Sequence, residues 1–359
     1  MLRCGLRKAS WLLAVGLPCL VVLSAAAHDQ AAAETGGAIA VAQVDSRLEA
    51  WRQAYKRPAS VPYPPENPST PAKQALGEML FFDPRLSRSG SVSCASCHNP
   101  SLGWRDALPT ASGFRMQPLP RRTPSVLNSA WLASLMWDGR ADTLEAQALM
   151  PLTAPTEMNM TMPEAVQRLQ AIAGYQPLFE AAFGAGKPID GAGIQAALAT
   201  YERSLVSPRS AFDAWVDGDD HALSAAALRG FALFTGKAGC VSCHSSWRFT
   251  DDSFHDIGLP GDDPGRGRYA PPQVVPMQHA FKTPSLRDLP PRGHYMHDGS
   301  IDSLPAVLAH YAAGGIERPS HSQQLRPLQL SDSEREDLLA LLSAISGPPL
   351  QVRLPQLPQ

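Results

Sequence analysis

Two five-residue runs, Cys94-Ala95-Ser96-Cys97-His98 and Cys240-Val241-Ser242-Cys243-His244, carry most of the chemistry legible in this 359-residue chain. Two thiols at this spacing, with a His directly after the second, suit covalent attachment of a haem. The sulfurs form thioethers and the imidazole supplies an axial nitrogen to the iron. Half of a zinc site is the rival reading, but structural zinc draws on paired Cys-x-x-Cys runs without a fixed trailing His. The spacing predicts two covalently bound haem c groups, held by Cys94, Cys97 and His98 and by Cys240, Cys243 and His244.

Each run sits inside a longer repeat. Leu76-Gly77-Glu78-Met79-Leu80-Phe81-Phe82 precedes the first, and Leu228-Arg229-Gly230-Phe231-Ala232-Leu233-Phe234 precedes the second. Both read as helices ending in an aromatic that can pack on its haem. Downstream, Thr123-Pro124-Ser125 leads to Met136-Trp137-Asp138-Gly139, and Thr283-Pro284-Ser285 leads to Met296-His297-Asp298-Gly299, with 15 residues from Thr to Asp in both. Asp142-Thr143-Leu144 and Asp302-Ser303-Leu304 follow at equal offsets, each expected to open a helix with a capping residue. The repeat predicts two homologous haem domains, 71–207 and 208–359, joined near Ser207 to His221. Ser331-Asp332-Ser333-Glu334 is a capping box that starts a last helix with an apolar face.

The far side of each iron decides the activity. A haem closed on both sides passes electrons, whereas one with an open face binds peroxide or oxygen. Thirteen residues beyond the Asp of each Asp-Gly pair stand Pro151 and Tyr311. A Tyr oxygen can ligate ferric iron and a Pro side chain cannot. The expectation is an asymmetric pair, the second haem closed by His244 and Tyr311 and the first open opposite His98. Tyr311 reads equally well as an ordinary core aromatic, with Met277, Met296, His297 and His310 as rival ligands; Met116 is the rival at the first haem. Gln147 and Glu157 flank Pro151. Cleaving the peroxide O–O bond requires a proton carried from the near to the far oxygen, work for a positioned carboxylate, although a Glu after Pro-Thr also suits a cap or a solvated loop. Trp137 holds the place of His297 and is either a packing residue or an oxidisable group between haems.

Arg3, Arg7 and Lys8, the apolar stretch from Trp11 to Leu23 and Ala25-Ala26-Ala27 read as an export signal cleaved near Ala27. Residues 28–70 read as an Ala- and Pro-rich tether. Removing the signal takes Cys4 and Cys19 with it and leaves four cysteines, all inside the two runs. Covalent haem with export points to the periplasm, and no stretch is long enough to span a bilayer. A formal charge of -2 gives no reason to expect nucleic acid or an anionic membrane as partner.

Together these residues resemble the bacterial di-haem cytochrome c peroxidase family, including its MauG branch, over roughly Pro71 to Ser346. Further motifs behind the resemblance are Leu80-Phe81-Phe82-Asp83-Pro84-Arg85-Leu86-Ser87, Trp137-Asp138-Gly139-Arg140, Pro155-Thr156-Glu157-Met158, Phe254-His255-Asp256-Ile257-Gly258 and Phe281-Lys282-Thr283-Pro284-Ser285-Leu286-Arg287. The resemblance implies a mainly α fold of two cytochrome c-like domains with little β structure. It also implies an inter-haem role for Trp137 and peroxide-pocket roles for Gln147 and Glu157. Peroxidases of the family usually close the second haem with Met and carry a removable His over the first. Tyr311 and the lack of any His between His98 and His221 instead resemble the MauG branch, which withdraws electrons from tryptophans of a bound protein to complete the tryptophan tryptophylquinone of methylamine dehydrogenase. The family's calcium site is not matched: Arg122 and Arg292-Gly293-His294 stand in its places, which puts calcium in doubt.

The expected function is therefore a periplasmic di-haem oxidoreductase that uses hydrogen peroxide to oxidise residues of a protein partner. The alternative is a peroxidase reducing hydrogen peroxide to water with electrons from a small cytochrome c or cupredoxin.

Overall fold

The computed structural model describes residues 47–290 and 292–359. The expected export signal and residues 28–46 of the expected tether lie outside the described residues. Two units are distinguished. The first ends at Trp51, its described residues 47–51 being helical; the second is Arg52–Gln359.

In the second unit the helices run α1 Pro71–Phe82, α2 Cys94–Cys97, α3 Leu144–Thr153, α4 Met162–Gln170, α5 Tyr175–Phe183, α6 Gly191–Ser204, α7 Ala211–Val216, α8 Ala225–Thr235, α9 Leu304–Ala313 and α10 Asp332–Ala344. Two short antiparallel strand pairs and several single-turn 3-10 helices complete the regular structure of the described residues. Strand β1 (Phe254–His255) pairs with β2 (Phe281–Lys282), and β3 (Arg292–Tyr295) pairs with β4 (Ile301–Ser303). The fold is mainly helical with little strand, as the sequence led one to expect.

The duplication reappears as geometry. Helix α1 starts where Thr70 Oγ1 accepts from Lys73 N (3.1 Å) and Pro71 takes the first turn, where no N–H is needed. It packs against α6, burying Leu76, Leu80 and Phe81 against Ile194, Leu198 and Tyr201. In the second half α8, capped by Ser224 Oγ on Ala227 N (3.1 Å), packs against α10 in the same way. The crossing points correspond: a Cβ on Gly77 would lie 2.0 Å from the Ala197 carbonyl oxygen, and one on Gly230 would lie 2.0 Å from that of Asp337. Each helix pair approaches as closely as backbone allows, so only Gly fits.

Three expectations change. The Pro-rich stretch before α1 is docked rather than free from Tyr55 onward. The Tyr55 ring is fully buried, with its centroid 5.6, 5.5 and 4.9 Å from those of Phe212, Phe231 and Phe249, and Asn67 Nδ2 donates to Glu145 Oε1 (2.7 Å) and the Ala196 carbonyl (2.9 Å). Composition reads such a stretch as a spacer because its few apolar groups find partners only far along the chain. Second, Ser303 makes no side-chain cap; it lies in extended β4, and its counterpart Thr143 does cap, accepting from Ala146 N at 3.1 Å. Third, the C-terminal residues return to the first half: Leu350 and Val352 pack on its core, and Gly174 N donates to the Gln359 carbonyl at 3.0 Å.

The expected boundary is a packed joint. Asp213 accepts from Arg287 Nη2 (2.7 Å), Arg287 Nη1 (3.1 Å) and Arg57 Nη1 (3.2 Å), with both Asp213 and Arg287 buried.

Candidate haem centres

At the first run, Cys94 and Cys97 lie one turn apart on α2, a spacing that puts both thiols on one face, and neither is in a disulfide. The His98 ring meets the Trp104 carbonyl through Nδ1 at 3.3 Å. Trp104 adopts a left-handed backbone (φ 62°), which turns that carbonyl back toward the imidazole. A proton held on Nδ1 leaves the Nε2 lone pair for a metal. Burial pushes the His98 pKa down, so the ring is neutral, as a ligand must be.

The second run repeats the device. His244 Nδ1 meets the Phe249 carbonyl at 2.8 Å, and Phe249 is again left-handed (φ 56°). Burial lowers the His244 pKa as it does that of His98. Cys240 and Cys243 are likewise free of disulfides.

The far sides differ. Tyr311 lies on α9, which Gly314 ends in a left-handed turn (φ 83°). Burial raises its hydroxyl pKa above the ordinary range, and the nearby Cys240 and Cys243 thiols add to the shift. Of the rivals, the two histidines are engaged elsewhere, while Met277 and Met296 are half-buried. His310 Nε2 meets the Ile257 carbonyl (2.9 Å), and His297 stacks on Phe281 with centroids 3.5 Å apart. Met116, the rival at the first centre, is 77 % exposed.

Pro151 stands inside α3, where its missing N–H frees the Gln147 carbonyl from the helical ladder. Gln147 and Pro151, four residues apart, share a helix face. Glu157 follows in a turn closed by its own N–H on the Ala154 carbonyl (3.0 Å) and by Met158 N on that of Pro151 (3.0 Å). Burial raises the Glu157 carboxyl pKa, and Arg140 opposes the shift. Its charge acts on Cys94 and Cys97, which puts Glu157 in the neighbourhood of the first run. The Gln147 side chain makes no hydrogen bond among the described residues. Trp137 is buried and donates through Nε1 to the Arg122 carbonyl at 2.8 Å.

Several groups escaped the sequence reading. Glu202 on α6 is buried, and burial raises its carboxyl pKa to about 8; the first-run thiol of Cys94 feels it as well. His255 Nε2 meets Asp251 Oδ2 at 2.8 Å beside Cys243. Arg105 and Arg122 are buried with their Nε–H groups unpartnered. His255 and Arg122 were visible as motif members, but nothing local says what they face.

The donor sets fit haem. Each centre offers two free thiols and a neutral imidazole with its second nitrogen available, and the orphaned guanidiniums nearby suit an acidic periphery.

The family model described as di-haem cytochrome c peroxidase matches residues 71–221. "Methylamine utilization protein MauG" of Methylorubrum extorquens is 60 % identical over 326 residues, covering 90 % of this chain and 92 % of that protein. The protein of the same name from Methylophilus methylotrophus is 52 % identical, covering 86 % and 92 %. Among solved structures, a MauG-like protein associated with microbial copper homeostasis superposes with a TM-score of 0.73 at 30 % identity, covering 81 % of this chain and 95 % of its own. No helix among the described residues is long and apolar enough to cross a membrane. On the strength of these likenesses and of two matching thiol–imidazole centres, the chain belongs to the di-haem cytochrome c peroxidase family and is an oxidoreductase with two haem groups.

Proposed function

We propose that both haems are attached covalently, at Cys94 and Cys97 and at Cys240 and Cys243, with His98 and His244 as axial ligands. Tyr311 would serve as a further ligand to the haem of the second run, whereas Pro151, its equivalent, would leave the haem of the first run free for hydrogen peroxide. The oxidising equivalents are used on a protein partner, as in maturation of the tryptophan tryptophylquinone of methylamine dehydrogenase. The chain works in the periplasm after loss of residues 1–27.

The observation that carries this reading is the inequality of Pro151 and Tyr311, equivalent in the repeat and opposite in ligating power. The likeness to two proteins named for methylamine utilization supports the choice of partner.

When bound, the first haem supplies an iron able to hold peroxide. Glu157 would move a proton between the two oxygens of hydrogen peroxide, its buried carboxyl being held above the usual carboxylate range. Gln147, one turn before Pro151, orients the bound oxidant. Trp137 offers an oxidisable indole between the two halves, oriented by its hydrogen bond to the Arg122 carbonyl.

The test mixes the diferric holoprotein with hydrogen peroxide and a methylamine dehydrogenase precursor, and follows quinone absorbance. The expected result is quinone formation, with slow turnover when a small cytochrome c or cupredoxin is the electron donor. Rapid turnover with such a donor and an untouched precursor would assign the chain to peroxide removal instead.

A further inference from the structure

Arg105 is 4 % exposed and Arg122 8 % exposed, and the Nε–H of each is buried without a partner. Arg105 reaches the Asp288 carbonyl through Nη2 (2.8 Å), while the Arg122 guanidinium makes no hydrogen bond or ion pair among the described residues. The acidic groups nearby are engaged by others. Asp106 Oδ2 accepts from Thr123 Oγ1 (2.6 Å), and Asp288 accepts from Gly347 N (2.9 Å) and from Ser207 Oγ. Burial lowers the pKa of both arginines, that of Arg105 to about 10, and the charge of Arg122 lowers it further. Asp288 and Asp106 act on the two charges only from a distance and form no salt bridge with them, and two buried cations at close quarters without one are costly unless an anion joins them.

Their position says which anion. Arg105 directly follows Trp104, whose carbonyl takes His98 Nδ1, and Arg122 lies two residues before Pro124, whose carbonyl also faces that ring. Asp106 acts on His98 and on Arg122, and Arg122 on Arg105, so both guanidiniums belong to the surroundings of the first run. A guanidinium fork matches a carboxylate with two parallel hydrogen bonds. The second half carries a cation at the same point: Lys282, also directly before Thr-Pro, is buried and donates to the Ser134 carbonyl at 2.7 Å.

We propose that Arg105 and Arg122 form a carboxylate seat that anchors a propionate of the haem held at Cys94, Cys97 and His98. This rests on the reading that those residues hold a haem. The two are positioning residues: they fix the macrocycle and bias its iron by charge. Ferric haem carries one more positive charge than ferrous, so neighbouring cations raise its potential.

The test uses holoprotein with two haems per chain verified by pyridine haemochrome. Midpoint potentials are measured by spectroelectrochemistry and the propionate bending band by resonance Raman, in the wild type, Arg105→Gln, Arg122→Gln and Arg122→Lys. The first haem should move to lower potential and its propionate band should shift in both Gln variants, with the second haem unmoved. Arg122→Lys should recover the potential but not the band, because Lys lacks the fork. It carries the same test should Arg122→Gln not fold. An unmoved band and potential in fully haem-loaded variants overturn the seat while leaving the haem reading intact. A wild-type potential that responds to added inorganic phosphate, with a propionate band indifferent to Arg122→Gln, gives the seat to a free anion and overturns the assignment. Wild-type protein without haem at Cys94 and Cys97 sinks the underlying reading itself.

Discussion

The indole of Trp137 and the imidazole of His297 stand edge to face with ring centroids 6.5 Å apart, although they hold the same place in the two halves of the repeat. The loops that carry them are alike in backbone. Met136 and Met296 both have φ 69°, and Gly139 and Gly299 follow at φ 66° and 69°. Arg122 ties them together, its N–H donating to the His297 carbonyl (2.7 Å) and its carbonyl accepting from Trp137 Nε1 (2.8 Å). The halves thus meet at equivalent loops, which brings the one oxidisable ring of the pair to the joint.

Trp137→Phe should leave both haem spectra in place, because Trp137 ligates neither iron, yet slow electron exchange between the haems. A slowing of about tenfold or more, ~1.4 kcal/mol in barrier, is expected in flash-reduction kinetics. An unchanged rate would remove Trp137 from the route.

Tyr311→Phe should change the low-spin haem spectrum and abolish retention of oxidising equivalents after peroxide. Electron paramagnetic resonance of the resting protein checks it. If the low-spin signal is the same in the variant, Tyr311 is not the ligand and the proximity to Cys240 and Cys243 is packing alone.

Glu157→Gln should slow reaction with peroxide by about 10²–10⁴-fold while both haem spectra stay nearly unaltered. The carboxylate is the form that accepts the peroxide proton, and burial raises its pKa above the ordinary 4.5. The wild-type rate should therefore climb with pH across a window displaced above 4.5, and the variant's should stay flat. Stopped-flow rates across pH decide the matter.

Glu202 links pH to stability. Burial raises its pKa in the folded protein from 4.5 to about 8, with Arg203 opposing and Glu145 adding. The protonated form is favoured in the fold, so its contribution is fully present below pH 4.5 and is lost as pH rises toward 8. Glu202→Gln should leave stability unchanged at low pH and raise it by up to about 5 kcal/mol above that window. Denaturant melts at the two extremes would show no difference if Glu202 is solvated in the native protein.

Gly77→Ala and Gly230→Ala should each destabilise the fold by about 1–3 kcal/mol, since the new methyl meets a carbonyl oxygen that cannot retreat without parting two helices. Thermal denaturation of the holoprotein measures this. Two neutral substitutions would mean that the helix pairs separate at little cost.

The elements were largely readable. Helix α9 and its Gly314 end, the Ser331 capping box and the helices before each thiol run follow from local rules, where a cap, a left-handed Gly or an apolar stripe suffices. Ser303 failed because a strand pairing claimed it, and strand pairing is not local. Likewise the docked stretch around Tyr55 depends on rings 157 to 194 positions away (Phe212, Phe231, Phe249), beyond any sequence window.

Of the chemistry, the chain alone determined what is written in spacing: two thiol–imidazole runs, the repeat around them and the Pro151–Tyr311 inequality. Tertiary structure decided the environments. It turned the Trp104 and Phe249 carbonyls onto the two imidazoles, brought Glu157 and Glu202 within electrostatic reach of Cys94, and left Arg105 and Arg122 buried without a salt bridge. Spacing along a chain fixes which atoms are near neighbours by covalent geometry. Charge, burial and proton affinity depend on atoms that only folding brings within a few ångströms, so they become legible once the chain has closed on itself.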